Sequence, residues 1–414
     1  MPPENKNILA VNGGSSSIKF SLYGMGRGQL PAKWLSGKID RIGLPGSRLT
    51  YTDSRKQSEA IKASAVAQEA GRGELPVDAK TPREAAAFLL EWLEKQGARP
   101  LAGIGHRVVH GLQHRQAAVI DDQLLEELKK IRGYDPDHLP GEIDLIELFR
   151  SKDPDTPQLA CFDTAFHATL PRLAKLLPLP RRYDEAGLQR YGFHGLSYAY
   201  IMEELTRIDI TVARGSVVLA HLGSGASLAA VKDGVSIDTT MGFTPTGGIV
   251  MGTRTGDLDP GAIWYLLQNE RLTPAQFSRL VNHESGLLGV SATSSDMQDL
   301  LARESSDERA AEAVGLFCYQ IKKSIGAFSA ILGGLDALVF TGGIGERSAV
   351  IRSRICSGLD YLGISLDPGA NGSNEANGSS ASIGAKESRT AVYAIPTDEE
   401  WMIARTVNQF LEQQ

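Results

Sequence analysis

Apolar and polar positions in the chain fall into two periods, and the clearest pattern lies near its start. From Ile8 to Gly24 the sequence ILAVNGGSSSIKFSLYG runs as an apolar segment, a Gly/Ser turn and a return segment ending at a glycine. This pattern predicts a β-hairpin with a tip of small residues. A near copy, VLAHLGSGASLAAVKDG, occupies Val218 to Gly234. A shift of 210 positions superposes Leu9 on Leu219, Ala10 on Ala220, Gly13 on Gly223, Ser17 on Ser227 and Gly24 on Gly234. Two such hairpins imply a duplicated fold. Backbone N–H groups of the glycines and serine hydroxyls at the tips suit a polyanion such as a nucleotide's phosphates. Ordinary tight turns are the alternative reading of each tip.

Between the copies, Tyr51 to Lys80 is polar and gives weak signals. A helix follows, with Thr81 at its N-cap, Pro82 at its first position and an apolar stripe ending at Gly97. A strand is expected from Gly103 to His110, helices over Asp121 to Ile131 and Glu142 to Phe149, and a strand LACFD ending at Asp163. After the second hairpin come a Gly/Thr-rich loop from Thr239 to Gly261, helices around Ala262 to Leu267 and Asp307 to Leu332, and a strand ALVF entering the glycine-rich turn TGGIGERS. Pro368 to Ser382, rich in Gly, Asn and Ser, reads as an exposed loop, and a strand TAVYAIP leads to a last helix near Asp398. Alternation of strands and helices places the chain in the α/β class.

Length changes the picture first: 414 residues exceed the roughly 250–300 that one core supports, so two domains are expected. A net charge of −6 gives no general attraction to nucleic acid or anionic membrane, so an anionic ligand must be held locally. No apolar run reaches the roughly 18 residues of a membrane span. The opening MPPENKN has no basic region followed by an apolar one, and a cytoplasmic location is expected. Cys161, Cys318 and Cys356 are odd in number and far apart, which points to structural thiols.

Several groups with chemical potential sit where strands give way to turns, namely Asn12, Asp163, His221 and Glu346. HRVVHG spaces His106 and His110 four apart, with His114 four further on, as a metal-binding helix would. Val108 and Val109 argue instead for a strand, and there is no HExxH glutamate. Arg107 in the same motif carries a planar fork that grips a carboxylate or phosphate; a structural ion pair is its other reading. Asp163 ends an apolar strand, where an uncompensated charge is costly, so a cleft-facing position is expected. Arg254, in the small-residue loop MGTRTGDLDPG, suits stabilisation of charge in phosphoryl transfer. His194 lies beside an aromatic residue and between glycines in YGFHG.

Taken in order, NGGSSSIKF, HRVVHG, FDTAFHATLP, YGFHG, HLGSG, DTTMGFTP, MGTRTGDLDPG, FTGGIGE and IPTDEE resemble the signature series of the acetate kinase family, from Ile8 to the C-terminal helix. The resemblance implies two duplicated ribonuclease-H-like domains of the actin-like ATPase class with a nucleotide cleft between them. It divides the chain into 1–164 completed by 397–414, and 165–396, the second carrying most ATP contacts and a homodimer interface. It implies ATP, acetate and acetyl phosphate as reactants, with propionate or another small, possibly polar, carboxylic acid as the alternative acceptor, and Mg2+, or Mn2+, at Asn12 and Glu399. Arg107, Asp163, His194 and Arg254 fall on catalytic positions. Val109, Phe193 and Pro245, with Arg107, fall on the acyl-substrate pocket, and Lys19 on an ATP-contacting lysine. His221, Leu222, Gly223, Ser224 and Gly225, then Asp296, Met297 and Gln298, then Gly343, Ile344, Gly345, Glu346 and Arg347 fall on three ATP-binding segments.

Some positions depart from the family pattern. Ser224 replaces an asparagine, Gln298 an arginine, Arg347 an asparagine, and Leu196 and Tyr198 a threonine and a histidine. In the pocket, Asp137 stands for the leucine of an APLHNP motif, Gln113 for the glutamate of HGGE, and Thr246 and Gly247 for the leucine and glutamate of TPLEG. A carboxylate acceptor is already ionised at neutral pH and needs no general base, so Asp163 is expected to organise the metal and its water rather than take a proton. The competing class is a nucleotide-driven binding protein that hydrolyses ATP without a small acceptor.

Overall fold

The computed structural model describes residues 7–14, 16–26, 29–56, 71–377 and 380–414. The opening segment Met1 to Lys6 and residues 57–70 of the polar stretch lie outside them. The chain forms two compact units, Met1–Ala165 with Asp398–Gln414, and Phe166–Thr397.

The first unit is built on strands β1 (Asn7–Gly13), β2 (Ile18–Gly26), β3 (Gln29–Asp40), β4 (Arg48–Asp53), β5 (Arg72–Pro76), β6 (Leu101–Val108), β7 (Ala118–Val119) and β8 (Gln158–Phe162). They make one sheet in the order β5-β4-β3-β2-β1-β6-β8-β7. β1 pairs antiparallel with β2 and parallel with β6, and β6 pairs parallel with β8. Central strands that are covered on both faces read as continuous apolar runs, and Ile8 to Val11 are all buried. The helix Pro82–Lys95 starts as its sequence predicts, with the Thr81 hydroxyl accepting from the Glu84 N–H at 3.2 Å. Its apolar stripe sets Trp92 edge-on against Phe20 of β2, with ring centroids 5.8 Å apart. The opposite side of the sheet is met by the C-terminal helix Glu399–Glu412, whose Ile403 and Val407 lie over β6. A Cβ at Gly105 would overlap Ile403, and one at Gly103 would come within 2.7 Å of Val407, so glycine sets the closeness of this packing.

The second unit repeats the plan with β9 (Ser216–Leu222), β10 (Ala226–Lys232), β11 (Val235–Thr239), β12 (Ala337–Thr341), β13 (Ala381–Ser382) and β14 (Ala391–Ala394), ordered β11-β10-β9-β12-β14-β13. Here β9 pairs antiparallel with β10 and parallel with β12, as β1 does with β2 and β6. The 210-residue shift holds for the first strand of each hairpin only. Val11 pairs with Phe20, whereas His221 pairs with Ser227 rather than Ala230. The second tip is shorter, so Ser17 and Ser227 are not structural equivalents.

The structure departs from the sequence reading elsewhere too. Pro368–Asn377 is a helix, not a loop. The Asp367 carboxylate caps it by accepting from the Ala370 N–H at 2.7 Å, Pro368 opens it, and Asn371 is buried; caps and packing override the weak propensity of Gly and Asn. TGGIGERS continues into the short helix Gly342–Arg347, because Gly342 takes φ +75 where its Cα lies against the Leu222 backbone. β4 and β5 were hidden in the polar stretch and its approach, since β5 is an edge strand that buries none of its residues. Helices Gly195–Ile208, Pro274–His283 and Met297–Arg303 were not read from the sequence.

Three histidines of this framework are buried and held neutral. Burial pushes His106, His110 and His167 down to about 4, with the Gln158 contact at 2.8 Å only partly opposing it for His106. The unfolded chain binds these protons near pH 6.5, so stability is full above that value and declines as pH falls toward 4, by up to roughly 3 kcal/mol per histidine. Urea midpoints recorded from pH 7.5 to 4.5 should therefore fall on acidification. The slope should be shallower in His106→Gln; an unchanged slope would show that His106 is protonated equally in both states.

Candidate active site

In the first unit the ends of β1, β6 and β8 and the start of the C-terminal helix bring four predicted residues together. Arg107, in β6, donates from Nη2 to Asp163 Oδ2 at 2.6 Å and from Nη1 to Glu142 Oε1 at 3.3 Å. Burial works against the guanidinium's charge, but Asp163, Glu142 and Glu399 together outweigh it and raise its pKa. Glu142 is pushed up to about 8 by burial, opposed by Arg107 and by the Val109 N–H, which donates to its Oε2 at 2.9 Å. Glu399 is pushed up to about 7 by burial and by the charge of Asp163. Asn12 donates from its amide to Glu399 Oε2 at 3.4 Å. Lys19, opposite Asn12 on β2, is exposed.

This cluster holds more carboxylate than one guanidinium balances. Among the described residues the buried Asp163 Oδ1 has no hydrogen-bond partner. Unbalanced hard oxygen donors, with the Asn12 amide beside them, fit a magnesium ion that keeps several waters and takes further ligands from phosphates. Among the described residues no group of three or more His, Cys, Asp or Glu side chains is placed to hold an ion alone. Glu142 escaped sequence reading because a glutamate in a helix's first turn normally reads as a dipole partner. The histidines around Arg107 have separate partners: His106 meets Gln158, and His114 meets Glu127 at 3.1 Å and stacks on Phe162.

The second unit gathers N–H and O–H donors. His194 takes a left-handed conformation, φ +58, directly before the helix Gly195–Ile208. The preceding Phe193 is buried, and its carbonyl accepts from His167 Nε2 at 3.0 Å. His194 stacks on His221 of β9 with ring centroids 4.2 Å apart, and His221 Nδ1 meets Ser197 Oγ at 2.8 Å. Arg254 donates from Nη1 to the carbonyl of buried Pro245 at 3.2 Å. Both His194 Nε2 and Arg254 Nη1 stand within 3.5 Å of where a Cβ on Gly225 would sit.

The three predicted nucleotide segments converge. Gly223 and Ser224, Asp296, Met297 and Gln298, and Gly343, Ile344 and Arg347 line one cavity of about 330 Å³, with Ser295, Leu301 and Ser348, which the sequence reading did not single out. Leu222 and Gly345 are buried behind it. Glu346 turns away, its Oε1 accepting from the Gly342 N–H at 3.0 Å and the Thr397 N–H at 3.1 Å. Asp296 is an N-cap, accepting from the Gln298 N–H at 2.7 Å.

The acetokinase family matches residues 7–405. The chain belongs to the acetokinase family. Among its relatives are an acetate kinase of Rhodopseudomonas palustris, 43% identical with 97% of each chain covered, and a propionate kinase of Citrobacter rodentium, 42% identical over 97% of this chain and 96% of that one. Among solved structures it is similar to an acetate kinase from Porphyromonas gingivalis (TM-score 0.82, 33% identity, 96% and 98% covered) and a propionate kinase from Francisella tularensis (TM-score 0.86, 32% identity, 97% and 98% covered). Its fold is thus the family's duplicated, actin-like α/β arrangement. As an acetokinase it is a phosphotransferase with a carboxyl group as acceptor and ATP as co-substrate.

One buried ion positions the third nucleotide segment. Arg352, fully buried, donates from Nη1 to the carbonyls of Gly345 and Glu346, each at 2.8 Å, and to Asn371 through Nε and Nη2, each at 2.7 Å. Arg352→Met should lower stability by about 3 kcal/mol and weaken ATP binding, since the carbonyls lose a charged donor in a dry setting. Thermal melts with and without ATP check this; an unchanged ATP affinity would separate the arginine from the segment it holds.

Proposed function

We propose that this acetokinase transfers the γ-phosphoryl group of ATP reversibly to acetate, giving acetyl phosphate and ADP. The observation that carries the reading is the convergence of three nucleotide segments on one cavity in the second unit. Asp163 and Glu142 hold the Arg107 guanidinium in place for a substrate carboxylate, and the acceptor attacks without a general base because it is already an anion. Arg254 and His194 supply N–H donors to charge developing on the transferring group. Asn12 and Glu399, with Asp163, would hold magnesium or manganese, which when bound compensates the charge of the donor's phosphates.

Relatives this similar include both an acetate kinase and a propionate kinase, and Asp137, which stands by resemblance at the family's pocket leucine, bears on the choice between the two acceptors. A carboxylate there disfavours a longer apolar tail, which supports acetate. A homodimer is supported by the helix Pro260–Asn269, which buries no residue and exposes Trp264 by 66% and Tyr265 by 60%. No helix among the described residues is long and apolar enough to cross a membrane. A cytoplasmic location is part of this reading.

Hydroxylamine trapping tests the reaction: ATP with acetate should yield hydroxamate, and hydrolysis to inorganic phosphate without it would favour a nucleotide-driven binding protein. Across acetate, propionate and hydroxy acids, acetate should lead; Asp137→Leu should improve propionate use and change acetate use little. A hydroxy acid preferred by the wild type, with the preference lost in Asp137→Leu, would reassign the acceptor.

Arg254→Ala should cut kcat by about 10³-fold or more with ATP binding nearly intact, because its contact is strongest in the transition state. A loss below about tenfold is too small for an arginine in that role. Glu399→Gln is the cleaner probe of the metal than truncation, since the helix Glu399–Glu412 packs into the first unit's core. It should weaken Mg2+ activation while leaving the melting temperature within a few degrees.

A further inference from the structure

The chemistry proposed above uses His194 as a hydrogen-bond donor, and a neutral imidazole donates from only one nitrogen. Which nitrogen carries the proton is therefore a functional property. Nδ1 of His194 lies 2.9 Å from Ser227 Oγ, and Ser227 Oγ lies 2.5 Å from the phenol oxygen of Tyr198. Tyr198 and Ser227 are both fully buried.

A buried hydroxyl hydrogen without an acceptor costs about 1–3 kcal/mol, so both hydroxyl hydrogens must find lone pairs. Among the described residues the acceptor facing the phenol hydrogen is Ser227 Oγ. Committing the phenol to Ser227 sends the serine's own hydrogen to His194 Nδ1. The reverse order, with Nδ1–H donating to Ser227 and Ser227 to Tyr198, strands the phenol hydrogen.

We propose that Tyr198 and Ser227 are positioning residues that form a directional relay, keeping the proton off Nδ1 and fixing His194 as the Nε2–H tautomer. The consequence lies at Gly225. A Cβ there would sit 3.3 Å from His194 Nε2 and 3.5 Å from Arg254 Nη1, so imidazole and guanidinium border one small space over Gly225. His221 is stacked on His194, and Arg254 borders the same space over Gly225. Position 198 is one at which this chain departs from the family's usual histidine. A tyrosine here gives the relay one direction, where histidine could serve in either.

Nitrogen NMR of the full-length protein labelled at histidine tests this, with the His194 signals identified by their absence in His194→Asn. The wild type should show an unprotonated Nδ1 and a protonated Nε2. Ser227→Ala should populate both tautomers, because Nδ1 then faces no hydroxyl donor, and should lower kcat about tenfold with the ATP KM changed less than about twofold. Tyr198→His, which can serve in either direction, should also show both tautomers, whereas Tyr198→Phe, which leaves the serine hydrogen no acceptor but Nδ1, should keep the Nε2–H tautomer. Ser227→Ala removes little volume and Tyr198→His keeps a polar group, so either variant serves if the other fails to fold. A protonated Nδ1 in the wild type, or a tautomer unmoved in Ser227→Ala and Tyr198→His, overturns the relay. The proposal rests on the kinase reading only for the purpose of the tautomer. The NMR result needs no substrate, so its failure is distinct from a failure of hydroxamate formation.

Discussion

The C-terminal helix can reach the charged cluster of the first unit only because β6 carries glycine at 103 and 105. Side chains there would meet Ile403 and Val407, lift the helix from the sheet and carry Glu399 away from Asn12 and Arg107. A packing constraint in the core thus sets a distance at the site. It also explains why residues some 390 apart in sequence act in one cluster: the helix belongs to the first unit's fold although it ends the chain. Glycine in a strand interior usually weakens it, and here the close helix contact offsets that cost.

The two units carry opposite kinds of chemistry. The first concentrates acceptors, with Asp163, Glu142 and Glu399 around the Arg107 guanidinium and, among the described residues, one Asp163 oxygen without a partner. Burial resists ionisation of Glu142 and Glu399, and the Arg107 charge opposes that effect at both. The second unit sets His194 and Arg254 beside Gly225 and gathers three segments around one cavity.

Residues whose role follows from local spacing were legible in the sequence. The hairpin copies, the Thr81 cap and the strand ends at Asn12 and Asp163 needed no tertiary knowledge. The glycine segments were legible as loops, but their meeting in one cavity followed only from resemblance. What remained hidden depended on a partner distant in sequence. Glu142 gains its meaning from Arg107, Arg352 from Asn371, and the helix Pro368–Asn377 from the burial of that same asparagine. A Gly- and Asn-rich stretch has no intrinsic preference to reveal such a helix. The register of the second hairpin was hidden for a related reason, since a tip shortened by a few residues leaves the sequence similarity of the first strands untouched.

That shortened tip has a structural consequence at His194. It places Ser227, rather than a bulky side chain such as Phe20 of the first hairpin, opposite His221 and within reach of the imidazole. His194 itself is held in a left-handed conformation that residues with side chains seldom adopt. Such strain persists where the surroundings over-determine it. Here the determinants are countable: His167 fixes the Phe193 carbonyl, a Cβ on Gly192 would meet His167 and Thr239, and Ser227 and His221 fix the ring. The two copies of one hairpin have therefore diverged in a specific way. In the first, the return strand faces Trp92 in the core; in the second, the same place on the strand carries the serine that holds the His194 ring.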